Sequence, residues 1–221
     1  MKHLIHAIRI LFLALFVFLM VNGNTMVWLG LFAASLVAAL LFGRLYCGYA
    51  CPMNTLMAPT EWLSKKLKWQ TDKTPQWLRS GWLPWVALAL SMSLMLFAKK
   101  LLGKNIPVLL IWVAASVLIT LRYRQAVFHN YICPFGALQR VFGRFAVFSK
   151  KVDKDACIGC KLCEKVCPSE AIAVKAEDKK AEISSTLCLQ CTNCQQVCPK
   201  DAIHYAKQRI PHKDAQIPME S

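Results

Sequence analysis

The chain has 221 residues, 56% of them hydrophobic, yet a formal net charge of +15 and a mean hydropathy of +0.38. Residues 1–150 carry 16 Lys/Arg against 2 acids, while residues 151–221 carry 11 against 10. The basicity thus belongs to the apolar part, where the basic flanks of membrane spans account for it and nucleic-acid binding does not.

Four apolar stretches come first in chain order, at residues 4–21, 25–46, 82–98 and 106–121. A bilayer core of about 30 Å asks for roughly 20 helical residues, so the third and fourth must borrow flanking residues. Arg9 lies near enough to the start of the first span to reach the headgroups. The alternative reading of that span is a signal peptide. Val21-Asn22-Gly23-Asn24 offers no small-residue cleavage pattern, so the span is read as a retained helix. His3 and His6 stand where it enters the membrane. They are placed to exchange protons with a quinone, although interfacial histidines are more commonly just solvated.

Loop charges orient the spans. The link at 22–24 has no Lys or Arg, whereas the link at 43–81 has Arg44, Lys65, Lys66, Lys68, Lys73 and Arg79. Arg122, Arg124, Arg140 and Arg144 follow the fourth span. Both termini and the long loop are therefore expected in the cytoplasm, against the three lysines Lys99, Lys100 and Lys104 of the outer link. Residues 62–81, with Trp62, Trp69, Trp77 and the Lys65-Lys66-Leu67-Lys68 run, read as an amphipathic segment on anionic lipid.

After each hairpin comes an elbow with related sequence. Tyr46-Cys47-Gly48-Tyr49-Ala50-Cys51-Pro52 follows the second span, and Phe128-His129-Asn130-Tyr131-Ile132-Cys133-Pro134 follows the fourth. They align without gaps, which predicts two helical hairpins related by a pseudo-twofold axis that brings the elbows together. Cys47 and Cys51, four apart, would share a face of one helix. In the second copy His129 replaces the first cysteine. Cys47, Cys51, Cys133 and His129 would then form a set of three sulfurs and an imidazole, with the chemistry to hold iron, zinc or an iron–sulfur cluster. Exchange of a thiolate for a neutral histidine accompanies a higher potential in Rieske centres, which suits a quinone. The competing reading is packing alone, with Cys as a small apolar residue. Tyr46, Tyr49, Phe128 and Tyr131 are expected to form an interfacial aromatic belt.

The remaining eight of the 11 cysteines fall into two copies of C-x2-C-x2-C-x3-C-P: Cys157, Cys160, Cys163, Cys167-Pro168 and Cys188, Cys191, Cys194, Cys198-Pro199. This is the spacing of bacterial two-cluster ferredoxins, in which the fourth cysteine of each run ligates the other cluster. Cluster one is expected on Cys157, Cys160, Cys163 and Cys198, and cluster two on Cys188, Cys191, Cys194 and Cys167. Ile158, Gly159, Leu162, Val166, Leu189 and Val197 would supply apolar wrapping. The unit repeats at an offset of 31 residues, each half reading as strand, cysteine loop with a helical turn, and strand (171–174 and 202–205). Zinc sites or disulfides are the alternatives. Zinc does not ask for crossed doubling, and disulfides need an oxidising compartment.

Paired C-x3-C-P-type elbows after transmembrane hairpins, followed by this double cysteine run, resemble the ferredoxin-type membrane proteins typified by NapH and NosR. The similarity runs from the first span to about Tyr205, with His129 a departure in the second elbow. The resemblance implies a subunit that passes electrons between the membrane quinone pool and other redox subunits, in the cytoplasmic membrane of a prokaryote. A further relative of similar build, the CcoG-type assembly factor, implies instead a membrane redox factor that maintains a metalloenzyme. A redox sensor with labile clusters is a third reading.

The expected architecture is an α-helical membrane domain of four transmembrane helices in two hairpins (1–148), an α+β two-[4Fe-4S] ferredoxin domain (149–208) and a mobile tail (209–221). Expected cofactors are two [4Fe-4S] clusters, with a further metal or Fe–S centre at the elbows and a quinone as additional candidates.

Overall fold

The computed structural model describes residues 2–71, 74–79, 81–101 and 108–207. The tail 209–221, Lys73, Lys104 and the side chains of Arg79 and Lys99, which entered the expectations above, lie outside the described residues.

Helices α1 (Lys2–Val21) and α2 (Thr25–Phe42) form the first hairpin across a three-residue turn. Each buries a narrow stripe, with Phe16 and Leu19 facing Trp28 and Phe32, and turns Leu11, Phe18, Val27 and Val37 outward. Both are long and apolar enough to cross a bilayer, while the apolar runs Leu83–Phe97 and Val108–Arg122 are shorter. Those two runs lie in α5 (Leu83–Leu101) and α6 (Val108–Arg122), linked by a hydrogen bond of 2.9 Å from Trp112 Nε1 to Ser91 Oγ.

The second span ends earlier than its hydropathy suggests. Helix α2 stops at Phe42 because Gly43 adopts a left-handed φ of 70°, a conformation open to glycine at no steric cost. A short helix α3 (Leu45–Tyr49) then carries Cys47, and Cys51 becomes the N-cap of α4 (Pro52–Lys66) with Pro52 at its first position. Cys47 and Cys51 are thus on two helices rather than on one face of a single helix.

The second elbow repeats this plan. After α6 come α7 (Gln125–Val127) and a π-helical turn at Phe128–Ile132, with Cys133 as the N-cap of α8 (Pro134–Gly143). In both elbows the cysteine N–H bonds back five residues, Cys51 to Tyr46 O at 2.9 Å and Cys133 to Phe128 O at 2.8 Å. Packing shows the same symmetry. Helix α4 lies along α6 and touches α1, while α8 lies along α2 and touches α5. Each elbow helix therefore packs on the other hairpin, fastened by Ser64 Oγ to Leu121 O (2.6 Å) on one side and Gln139 Nε2 to Ser35 Oγ (2.7 Å) on the other.

The C-terminal unit has two two-stranded antiparallel ladders. Strand β1 (Phe148–Val152) pairs with β4 (Ile203–Lys207) in register Val152↔Ile203, and β2 (Ile172–Val174) pairs with β3 (Ala181–Ile183) in register Ile172↔Ile183. The pairings cross between the two 31-residue repeats, so neither half is a ladder alone. Helical turns α9 (Leu162–Lys165) and α10 (Asn193–Gln196) each present a cysteine inward. The repeat extends to backbone conformation: Glu170 and Asp201, 31 apart, are both left-handed at 51° and 47°. A small core of Ile172, Ala181 and Ile203 sits between the cysteine loops.

The core of the helical unit runs into this domain. Leu189, between Cys188 and Cys191, is buried in the same cluster as Trp28, Phe32, Met57 and Phe128.

Candidate iron–sulfur centres

Cys157, Cys160, Cys163 and Cys198 line one cavity, with Val152, Val174 and Ile203 among its walls. The crossed arrangement is visible here, since Cys198 comes from the second cysteine run. Cys167, Cys188, Cys191 and Cys194 form the other group. Burial pushes the Cys188 thiol up, Cys191 pushes it further, the Gln190 N–H opposes this, and Cys167 and Cys194 add smaller upward pushes. Burial likewise raises Cys194 to about 12 and Cys163 to about 11.

Several features suit these groups to thiolates on iron. Backbone N–H groups point at sulfur: Ala171 to Cys167 at 3.2 Å, Ala202 to Cys198 at 3.3 Å, Gln190 to Cys188 at 3.4 Å and Ala181 to Cys157 at 3.5 Å. Such donors favour the charged form of the sulfur and tune a bound cluster. None of the 11 cysteines is paired in a disulfide. Among the described residues no three His, Cys, Asp or Glu side chains converge as around one metal ion. A single zinc with bonds of about 2.3 Å would draw its sulfurs to within about 4 Å of one another. A cubane gives each thiolate its own iron and does not impose that convergence.

The two groups differ in exposure. Cys160 is exposed, and Ile158 and Leu162, expected to wrap the first cluster, are 58% and 41% accessible. The second group is covered because its loop docks on the first elbow. A Cβ placed on Gly48 would stand 2.2 Å from Leu189 O, so only glycine permits this approach. Around it, Arg44 Nη1 donates to Leu187 O (3.4 Å), Tyr49 OH to Gln190 O (3.4 Å) and Tyr205 OH to Phe42 O (3.0 Å). On the far side Asn130 Nδ2 donates to Ser169 O (2.8 Å), and Arg124 pairs with Glu170. Gln190 occupies the place of Gly159 in the first repeat. Its side chain fills the joint, donating to Ser149 Oγ (2.7 Å) and accepting from Lys150 N (3.1 Å).

At the elbows the structure brings Cys47, Cys51 and Cys133 together. All three are buried. Burial raises the Cys51 thiol first, followed by Cys47 and Cys133, and it raises Cys133 to about 12, followed by Cys47. Cys133 Sγ accepts from Gly136 N at 3.3 Å. His129 is buried beside them, but its Nε2 is engaged by Asn54 Oδ1 of the opposite elbow at 3.2 Å. Burial, and then Arg44, hold that ring neutral, with its pKa pushed down to about 3. Two of the four aromatic residues expected in a belt are not at a surface, while Tyr49 and Tyr131 are half-buried. Phe128 and Tyr46 are core residues because their elbows fold inward, and Tyr46 stacks edge-on against Phe32 at 5.2 Å. His3 and His6 are exposed on α1.

Two residues were missed by reasoning from loop charge. Arg9 does not reach for headgroups; it turns inward, 8% accessible, and its Nε donates to Gly48 O at 2.9 Å. Arg44 is fully buried between the elbows, with Nη2 at 4.0 Å from Cys47 Sγ. A basic residue beside a cysteine elbow that lacks any acid is the signal that could have marked Arg44.

Comparison with known proteins agrees with both halves. A family model described as a 4Fe-4S binding domain matches residues 24–70 and again 105–154, each time the second helix of a hairpin with its elbow. A 4Fe-4S dicluster domain matches residues 156–202. Among curated proteins, an uncharacterised protein of Methanocaldococcus jannaschii is 30% identical over 141 residues, 62% of this chain and 56% of its own length. The methylamine utilization ferredoxin-type protein MauN of Paracoccus denitrificans is 29% identical over 169 residues, 65% of this chain and 58% of that one. The ferredoxin-type protein NapH of Haemophilus influenzae is 30% identical over 149 residues, 61% and 50% respectively. The chain thus spans between half and two-thirds of the length of these relatives. No solved structure matches. On these motifs and matches, the chain carries 4Fe-4S binding domains in both halves and is similar to the NapH-like ferredoxin-type 4Fe-4S proteins.

Proposed function

We propose that this chain is a membrane-bound electron-transfer protein that relays electrons between the quinone pool and a redox partner on the cytoplasmic side. The observation that carries the reading is the seat of the Cys188–Cys191 loop on the first elbow, where Leu189 enters the core of the helical unit at Gly48. Such a joint has no use in a ferredoxin that diffuses freely. It suits one wired to the bilayer edge.

Cys157, Cys160, Cys163 and Cys198 would hold one [4Fe-4S] cluster, and Cys188, Cys191, Cys194 and Cys167 the other. A bound cubane takes up and gives back one electron at a time. The chain supplies position, insulation and charge. The exposed side around Cys160 is open to a redox partner, while the covered group faces the elbows. Cys47, Cys51 and Cys133 would hold a third centre at the membrane edge, with His129, tied to Asn54 by one ring nitrogen, left only its other nitrogen as a ligand. An apolar cavity lined by Trp28, Phe32, Tyr46, Cys51 and Phe135 lies where that site meets the apolar helices, and a quinone ring would have to widen it to enter. With Arg44 buried and so removed from the tally of loop charges, the long loop still carries more Lys/Arg than the outer link, which supports cytoplasmic termini in a prokaryotic inner membrane.

A quinol added to anaerobic membranes is expected to bring up the EPR signals of reduced iron–sulfur clusters; clusters that stay EPR-silent with quinol but respond to a stronger chemical reductant would refute the relay. The soft elbow sulfurs also prompt a second reading, in which they would have to draw closer together to take up Cu(I). Stoichiometric Cu(I) uptake by protein whose signals ignore quinol would establish an assembly or maintenance role for a metalloenzyme instead.

A further inference from the structure

Three arginines, Arg9, Arg44 and Arg140, are enclosed around the elbows, and none has a carboxylate partner among the described residues. Arg44 is the extreme case. It is fully buried, and its nearest acceptors are the neutral Leu187 O at 3.4 Å and the sulfur of Cys47 at 4.0 Å. Its Nε has no hydrogen-bond partner among the described residues. Arg140 adds a second charge, with Nη2 on Asn130 O at 2.5 Å and Nε unpartnered.

Arginine does not shed its proton in proteins. A buried cation without counter-charge is strongly destabilising, so a folded chain places one where an anion belongs. Among the described residues no acid pairs with Arg44; the groups around it are the Leu187 carbonyl, the Cys47 sulfur, the imidazole of His129 and the Gly136 turn that caps Cys133. His129, an imidazole, offers no negative charge. The anion must therefore be carried by the elbow sulfurs themselves. Three thiols in their neutral form would leave Arg44 and Arg140 facing each other uncompensated.

We propose that Arg44 is the built-in counter-charge of an anionic iron–sulfur centre held by Cys47, Cys51 and Cys133, and that it raises the reduction potential of that centre. The inference rests on the elbow centre proposed above. One-electron reduction, by quinol or by a chemical reductant, adds one negative charge to the site and takes up no proton from Arg44. A fixed cation stabilises the more negative, reduced form, so its removal must lower the potential.

Potentiometric EPR on the full chain in detergent tests this with Arg44→Gln and Arg44→Lys. Arg44→Gln is expected to lower the reduction equilibrium constant of the elbow signal at least tenfold, about 59 mV for a one-electron couple. The ferredoxin signals should stay in place, and Arg44→Lys, which keeps the charge, should stay within threefold of the parent. A third signal that does not move in Arg44→Gln overturns the counter-charge role while the elbow centre stands. Absence of a third signal in the parent protein removes the elbow centre, and the inference with it. Should Arg44→Gln fail to assemble, Arg140→Gln is expected to shift the same signal in the same direction by less, and no shift there also overturns the proposal.

Discussion

Replacement of Gly48 by alanine tests the joint between the two halves with one methyl group. The added Cβ would sit 2.2 Å from Leu189 O, a backbone atom that no side-chain rotation can move aside. Ordinary contact requires the helix α3 backbone and the Cys188–Cys191 loop to part by about 1 Å, an overpacking strain of about 1–3 kcal/mol. At 1.4 kcal/mol per tenfold, the docked state should lose about 5- to 150-fold in its equilibrium with an undocked one. Hydrogen exchange in detergent should then rise over residues 186–191 and 43–50, and quinol should reduce the ferredoxin signals more slowly, with cluster content unchanged. Gly30→Ala is the control, because nothing lies within 4 Å of that position. If Gly48→Ala matches the parent in both exchange and reduction, the joint is not where the ferredoxin couples to the membrane unit.

Cys198→Ser should abolish the EPR signal of the exposed cluster, although Cys198 belongs to the second cysteine run, and Cys167→Ser should abolish that of the covered one; the reverse assignment would contradict the crossed cavity. Air exposure should bleach the exposed cluster first, because Cys160 and Ile158 are open to solvent, and loss of the covered signal first would reverse the inside–outside order. His129 is neutral in the fold with a pKa near 3, whereas an unfolded chain protonates it near 6.5. Its contribution to stability is therefore intact above about pH 6.5 and is lost as pH falls toward 3. Chemical denaturation of His129→Gln should show a flatter loss over that window, and an unchanged slope would mean that the ring is not held neutral.

The cysteine loops could be read in the sequence because their chemistry is local. Four sulfurs at fixed spacing and a proline define the loop before any tertiary contact forms, and the crossed assignment follows from the doubled run. The elbows were legible for a similar reason, since two gapless copies expose the pseudo-symmetry that the reciprocal α4–α6 and α8–α2 packing repeats. Long-range burial was not legible. Arg9 and Arg44 read as membrane-edge charges because hydropathy counts a charge without knowing what will enclose it. The break at Gly43 hid inside an apolar run that continues to Tyr46, since a φ of 70° leaves no trace in hydropathy. Docking of Leu189 on Gly48 joins residues 141 apart, and only the contrast between Gly159 and Gln190 in otherwise matched loops hints that the second loop has a neighbour.

The most direct test of a relay that begins at the bilayer edge is a count of redox centres. Potentiometric EPR of the anaerobically purified, detergent-solubilised chain should resolve three centres, one of which disappears in Cys51→Ser and in Cys133→Ser while the other two persist. Two centres in the parent protein, or a third that survives both substitutions, would contradict it.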